Sequence, residues 1–146
     1  PVLVVIGAAF ALGTALEQSG TAAWLVDAML ADNIQSPWLA LLLVYLVTAL
    51  FTEVITNNAA AVLMFPIATG VAEQLGVSPL PFIVAVMFAA SASFMTPLGY
   101  QTNLMVMGPG GYRFTDYLKI GVPMSLVALA VTTSLIPLIW PFQATH

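Results

Sequence analysis

Two long apolar runs in this chain are each broken near the middle by uncharged polar residues. Trp38–Ile55 and Ala59–Ala72 are separated by Thr56-Asn57-Asn58. Phe82–Phe94 is interrupted over Thr96-Pro97-Leu98-Gly99-Tyr100-Gln101-Thr102-Asn103 before Leu104–Met107 resumes. In hydrocarbon an unpaired backbone or amide group costs several kcal/mol, so such breaks persist only where protein buries them or a wet cavity solvates them. Half-helices ending at mid-membrane are a recurring device of secondary transporters, whose helix N-termini face anionic substrate and whose unwound carbonyls face a coupling cation.

The surroundings of these breaks are those of a membrane protein. Of 146 residues, 61% are apolar and 5% charged, against roughly 45–50% and about 25% in soluble chains. Two basic and six acidic side chains give a net charge of −4. A soluble enzyme lacks the surface it needs, and a nucleic-acid partner is excluded because no basic patch exists to meet phosphates. Cysteine is absent and the only histidine is His146. Disulfides, thiolate metal sites and imidazole-dependent hydrolysis are therefore excluded as well. Apolar sequence begins at Pro1 without a basic leader, which reads as an internal cut in a longer protein and not as a signal peptide.

The expected organisation is all-α and integral to the membrane. A truncated transmembrane helix spans residues 1–16. An interfacial helix follows over 20–32, with Trp24 at headgroup depth. Residues 37–72 form either two spans or, as we read them, a re-entrant hairpin with its tip at 56–58. A broken transmembrane helix covers 82–107 and a last span covers 122–141. Arg113 and Lys119 set topology, Gly108-Pro109-Gly110-Gly111 stops a helix, and the seven methionines pack. The expected location of this multi-pass chain is a bacterial inner membrane.

Each polar cluster carries two readings. Thr56-Asn57-Asn58 offers a hydroxyl and two amides just where a helix starts at Ala59, so its N–H groups favour an anion. It is otherwise a surface turn. Glu53 is a costly intramembrane carboxyl group: a proton carrier or cation partner, or a hydrogen-bonded pin for the hairpin. In Thr96–Asn103, Pro97 removes a donor and Gly99 admits unusual backbone angles. The stretch is either a carbonyl-lined cation site or a kink in a helix packed through small residues such as Ser91 and Ser93.

These residues resemble a known family. Thr52-Glu53-Val54-Ile55-Thr56-Asn57-Asn58-Ala59-Ala60, with Pro66 beyond, is similar to the second hairpin of the divalent anion:sodium symporters. Pro97-Leu98-Gly99-Tyr100-Gln101-Thr102-Asn103 is similar to their unwound loop, and Phe114-Thr115-Asp116-Tyr117 with Gly121-Val122-Pro123 to their final link. The resemblance implies the C-terminal of two inverted repeats in an elevator-type carrier, with the N-terminal repeat missing and a homodimer as the assembly.

The resemblance also implies a site. Sodium is held by Thr52, the Ile55 carbonyl, the Asn57 amide and the Gly99 carbonyl. The anion meets Thr56, Asn57, Asn58, Tyr100, Gln101 and Thr102, while Glu53, Pro66, Pro97 and Asn103 support or couple. Tyr100-Gln101 stands where dicarboxylate carriers have Thr-Pro, and Gly-Tyr-Gln-Thr-Asn is similar to the sulfate-permease-like branch. No cofactor is expected beyond a coupling ion, sodium or alternatively a proton handled by Glu53. The expected function is cation-coupled symport of a small divalent oxyanion, sulfate ahead of dicarboxylate. An arsenite exporter, a sodium/proton antiporter or a non-transporting helical subunit are the competing readings. An intramembrane enzyme has no visible nucleophile–base pair.

Overall fold

In the computed structural model, the described residues are 36–143, 18–30, and Gly7, Ala11, Thr14 and Ala15. Their regular secondary structure is all helical, with no strand among them. The span expected over 1–16 therefore lies, apart from those four residues, outside the described set. The helices are α1 (Thr21–Leu30), α2 (Pro37–Thr52), α3 (Asn57–Gln74), α4 (Leu80–Ser91), α5 (Gln101–Met107) and α6 (Phe114–Ile139).

Local chemistry sets most of these limits. Pro37 opens α2 at its first position, where a missing N–H costs nothing. The hydroxyl of Thr56 accepts from Ala59 N at 3.4 Å and caps α3. At the other end of α3, Gly76 adopts φ +65. There Val77 N donates to Ala72 O and Gly76 N to Glu73 O, each at 3.0 Å. This paired closure needs the left-handed residue that glycine supplies. The start of α6 lies at Phe114, ahead of the apolar run that begins at Val122. Asp116 is the reason: its carboxylate accepts from Arg113 N, and its own N–H donates to Arg113 O, both at 2.9 Å.

α4 packs against both α2 and α3, and these three helices hold the core. Leu41, Val44 and Tyr45 of α2 meet Met64, Ile67 and Val71 of α3 and Phe82, Ala85 and Ala89 of α4. α1 lies on α3, where Val26 sits 3.2 Å from the Cβ position of Gly70 and Gln74 donates to Asp27 at 3.0 Å. Trp24 is two-thirds exposed.

α6 crosses the outside of α2 and α4. Trp38 Nε1 donates to the Thr133 carbonyl at 3.2 Å near one end. Near the other end Gly121 passes so close to the backbone of Phe94 and Met95 that a Cβ there would overlap the Phe94 carbonyl. With 26 residues, α6 is the one described helix long and apolar enough to cross a bilayer. Its length of about 39 Å exceeds the ~30 Å hydrocarbon core, whereas α2, at 16 residues, is only about 24 Å long. Most of the apolar surface of α6 is uncovered, including Ile120, Val127, Val131 and Leu138.

The seam at Gly121 generates a prediction. Gly121→Ala should destabilise the complete gene product by about 1–3 kcal/mol, the usual cost of overpacking. It should appear as a lowered melting temperature in a detergent thermal-shift assay. Gly108→Ala is the control, since nothing lies within 4 Å of its Cβ position, and it should leave the melting temperature unchanged.

Candidate functional site

The two breaks meet in space. α2 ends at Thr52, and residues 53–56 turn the chain into α3. The turn therefore precedes Asn57-Asn58, which form the first positions of α3, because Thr56 acts as the cap. Val54 N and Ile55 N both donate to Phe51 O, at 3.0 and 2.9 Å, and close the end of α2. The second break is longer than the polar residues alone indicate. α4 stops at Ser91, an irregular stretch covers 92–100, and the helix restarts at Gln101. Gln101, Thr102 and Asn103 are thus helical, and Ala92, Ser93, Phe94 and Met95 belong to the loop.

Glu53 joins the two breaks. It is 5% exposed. Its Oε1 accepts from Met95 N at 3.0 Å, and its Oε2 accepts from Thr96 N at 2.7 Å. The Ser93 hydroxyl lies 3.2 Å from Oε2 and 3.4 Å from the Thr52 carbonyl and donates between them. Thr96 Oγ1 donates to the Glu53 carbonyl at 2.7 Å and accepts from Gly99 N at 3.4 Å. Alongside, Thr52 Oγ1 donates to the Ala90 carbonyl at 2.8 Å. Gly99 is buried, and a Cβ on it would overlap both Ser93 Oγ and the Thr52 carbonyl. Only glycine lets the loop approach α2 this closely.

Asn103 braces the loop from the other side. Its Nδ2 donates to the Ser93 carbonyl at 3.1 Å and the Thr96 carbonyl at 3.3 Å. Its own carbonyl accepts from the Tyr117 hydroxyl of α6 at 2.7 Å. Pro97 is buried in the loop, and Pro66 is buried halfway along α3.

Of the residues expected to form a site, Thr52, Glu53 and Gly99 are brought together. Thr56 and Asn58 are exposed at the tip, and Asn57 Oδ1 accepts from Asn58 N at 2.8 Å. Tyr100, Gln101 and Thr102 are exposed at the start of α5, and no described hydrogen bond joins them to the tip. The arrangement offers an anion exposed donors at a helix N-terminus, and offers a cation neutral oxygens around Thr52 and Gly99. A separate cleft of ≈ 570 Å³ lies between α5 and α6, lined by Phe94, Val106, Tyr117, Ile120 and Met124, and shares only Asn103 with these residues.

The sequence reading missed the partners of Glu53. Ser93 had the look of a small packing residue, and nothing marked the Met95 and Thr96 amides. The available signal was their position beside a proline, where helical hydrogen bonding fails and backbone donors are released.

The brace is testable. Asn103→Leu leaves the Ser93 and Thr96 carbonyls without their donor, at a cost of about 1–3 kcal/mol for each buried group left unpaired. Amide hydrogen exchange across residues 92–100 of the complete protein should accelerate by at least about tenfold. Unchanged exchange would mean that Asn103 does not hold the loop.

Comparison with known proteins identifies the family. The citrate transporter family model (CitMHS) matches residues 1–144. The chain is 51% identical to the uncharacterized transporter sll0640 of Synechocystis, over 99% of this chain and 24% of that protein. It is 38% identical to the uncharacterized transporter YfbS of Escherichia coli, over 97% of this chain and 23% of that protein. It is 39% identical to sodium/sulfate cotransporter 2 of Chlamydomonas reinhardtii, over 89% and 15% respectively. The chain thus spans between 15% and 24% of the length of these curated relatives. The hairpin and loop motifs that resemble divalent anion:sodium symporters lie inside the matched residues, and the chain belongs to the citrate transporter family, whose members are integral membrane transporters and not enzymes.

Proposed function

We propose that this chain forms the second repeat of a sodium-coupled symporter for a small divalent oxyanion, with sulfate as the preferred substrate. The observation that carries the reading is the packing of Gly99 against the Thr52 carbonyl, which sets the hairpin turn beside the unwound loop. Thr52, the Ile55 and Gly99 carbonyls and Asn57 then supply a sodium ion with neutral oxygens. Thr56, Asn57 and Asn58 at the capped start of α3, with Tyr100, Gln101 and Thr102, supply the anion with donors. The short turn at 53–56 between α2 and α3, which carries the polar tip, is what a re-entrant hairpin requires. The other half of the site comes from an N-terminal repeat, and the carrier works as a homodimer in a bacterial inner membrane.

The name of the 39%-identical algal relative supports sodium and sulfate. A carboxylate substrate is the second reading, favoured by the citrate description of the family.

Labelled-sulfate uptake into proteoliposomes containing the complete gene product separates these readings. Uptake should require an inward sodium gradient and be competed by thiosulfate but not by succinate. Asn57→Ala should reduce it at least tenfold at low sodium, about the loss of one good charge-assisted contact. Succinate or citrate uptake without sulfate flux would establish the second reading. Sulfate uptake driven by a proton gradient alone would eliminate the sodium site, and silence toward every anion would point to an exporter or a non-transporting subunit.

A further inference from the structure

We propose that Glu53 is a positioning residue that makes the cation side and the anion side of the site one unit. The inference rests on the symporter reading above, and goes beyond it by assigning a coupling element.

The two halves of the proposed site stand on different segments. The cation oxygens of Thr52 and Ile55 belong to the end of α2 and its turn, whereas Gly99, Tyr100 and Gln101 belong to the loop after α4. Residues 53–56 and 92–100 are not regular helix, so internal helical hydrogen bonds do not fix their relative position. Glu53 does. Both oxygens of its carboxyl group are occupied by loop donors, Met95 N at 3.0 Å and Thr96 N at 2.7 Å. Its backbone carbonyl is held from the same loop by Thr96 Oγ1 at 2.7 Å. One residue is thus gripped at side chain and main chain by a single short stretch, one position from Thr52.

The same threonine that grips Glu53 receives Gly99 N at 3.4 Å. A shift of the turn is therefore passed through Thr96 to the Gly99–Tyr100 backbone. The Ser93 hydroxyl, lying between Glu53 Oε2 and the Thr52 carbonyl, adds a second link. With its carboxyl oxygens so engaged and 5% exposure, Glu53 acts through these groups and does not itself meet the transported ions.

A cation that draws the Thr52 and Ile55 oxygens inward then sets the loop that presents Tyr100 and Gln101. Loosening the clasp should weaken sodium binding first, and weaken anion binding only where sodium does not saturate. A residue of merely structural importance would not produce this split.

The test is a two-dimensional uptake series in proteoliposomes, varying sodium and sulfate, for the complete protein and three variants. Glu53→Gln should raise the sodium concentration for half-maximal uptake by about tenfold, the scale of one lost buried hydrogen-bonded contact. The sulfate KM measured at saturating sodium should stay within about twofold of wild type, below the effect of a lost contact. Thr96→Val, which keeps size and removes the hydroxyl, should shift the sodium dependence in the same direction. Thr96→Ser, which restores the hydroxyl, should return it to wild type. Thermal-shift measurement accompanies each variant, and the threonine pair decides the matter if Glu53→Gln does not fold.

Unchanged sodium dependence in Thr96→Val would overturn the proposal. So would a sulfate KM raised equally at all sodium concentrations, or loss of uptake that tracks melting temperature alone. A wild-type protein whose sulfate uptake ignores sodium would instead remove the symporter reading beneath it.

Discussion

Irregular backbone inside a membrane protein must find its hydrogen-bond partners within the protein or in a wet cavity, and the stretch 92–100 finds partners within the chain. Pro97 and the end of α4 release donors and acceptors that no helix can satisfy. Glu53 takes two of the donors, Asn103 serves two of the acceptors, and Thr96 closes the loop on itself. In water these bonds would each be worth about a kcal/mol net, whereas a polar group orphaned in hydrocarbon costs several. The loop is therefore held by necessity and not by packing alone. This explains why a carboxyl group can sit among apolar helices: it replaces the solvent that the backbone would otherwise need.

Everything around the loop adapts to that arrangement. Gly99 brings it against α2, and Gly121 lets α6 lie across its back at Phe94 and Met95. Tyr117 ties α6 to Asn103 and so closes the ring of contacts. α4 supplies the rigid floor, buried against α2 and α3 through Phe82, Ala85 and Ala89. The side chains of the exposed tip make only local hydrogen bonds, and Tyr100, Gln101 and Thr102 stand exposed at the start of α5.

Much of this was legible in the sequence because polar residues inside apolar runs are conspicuous. The helical class, the membrane setting and the two interrupted regions follow from that contrast, and the family from the resemblance of the motifs around the interruptions. The helix start at Pro37 was legible, whereas α3 was read as starting at Ala59 and in fact starts at Asn57, because Thr56 is its cap. The break at Ala92 was not legible, because Ala92, Ser93 and Phe94 have no composition that separates a loop from a packed helix. The early start of α6 was missed for the opposite reason: Asp116 and Tyr117 look like loop residues until their cap is seen. Glu53 was recognisable as unusual, but its partners are mostly backbone amides, and a donor that every residue carries leaves no mark in a sequence.

The closeness of Gly99 to Thr52 has a consequence for how such a carrier changes over time. At position 99 any side chain collides with the scaffold, and at Thr52 a hydroxyl is committed to the Ala90 carbonyl. Tyr100, Gln101 and Thr102, one step further along, project without such obligations. Sequence drift is closed at one end of the motif and open at the other. Divergence along this motif is therefore confined to its exposed end, where it leaves the packing of the loop on α2 undisturbed.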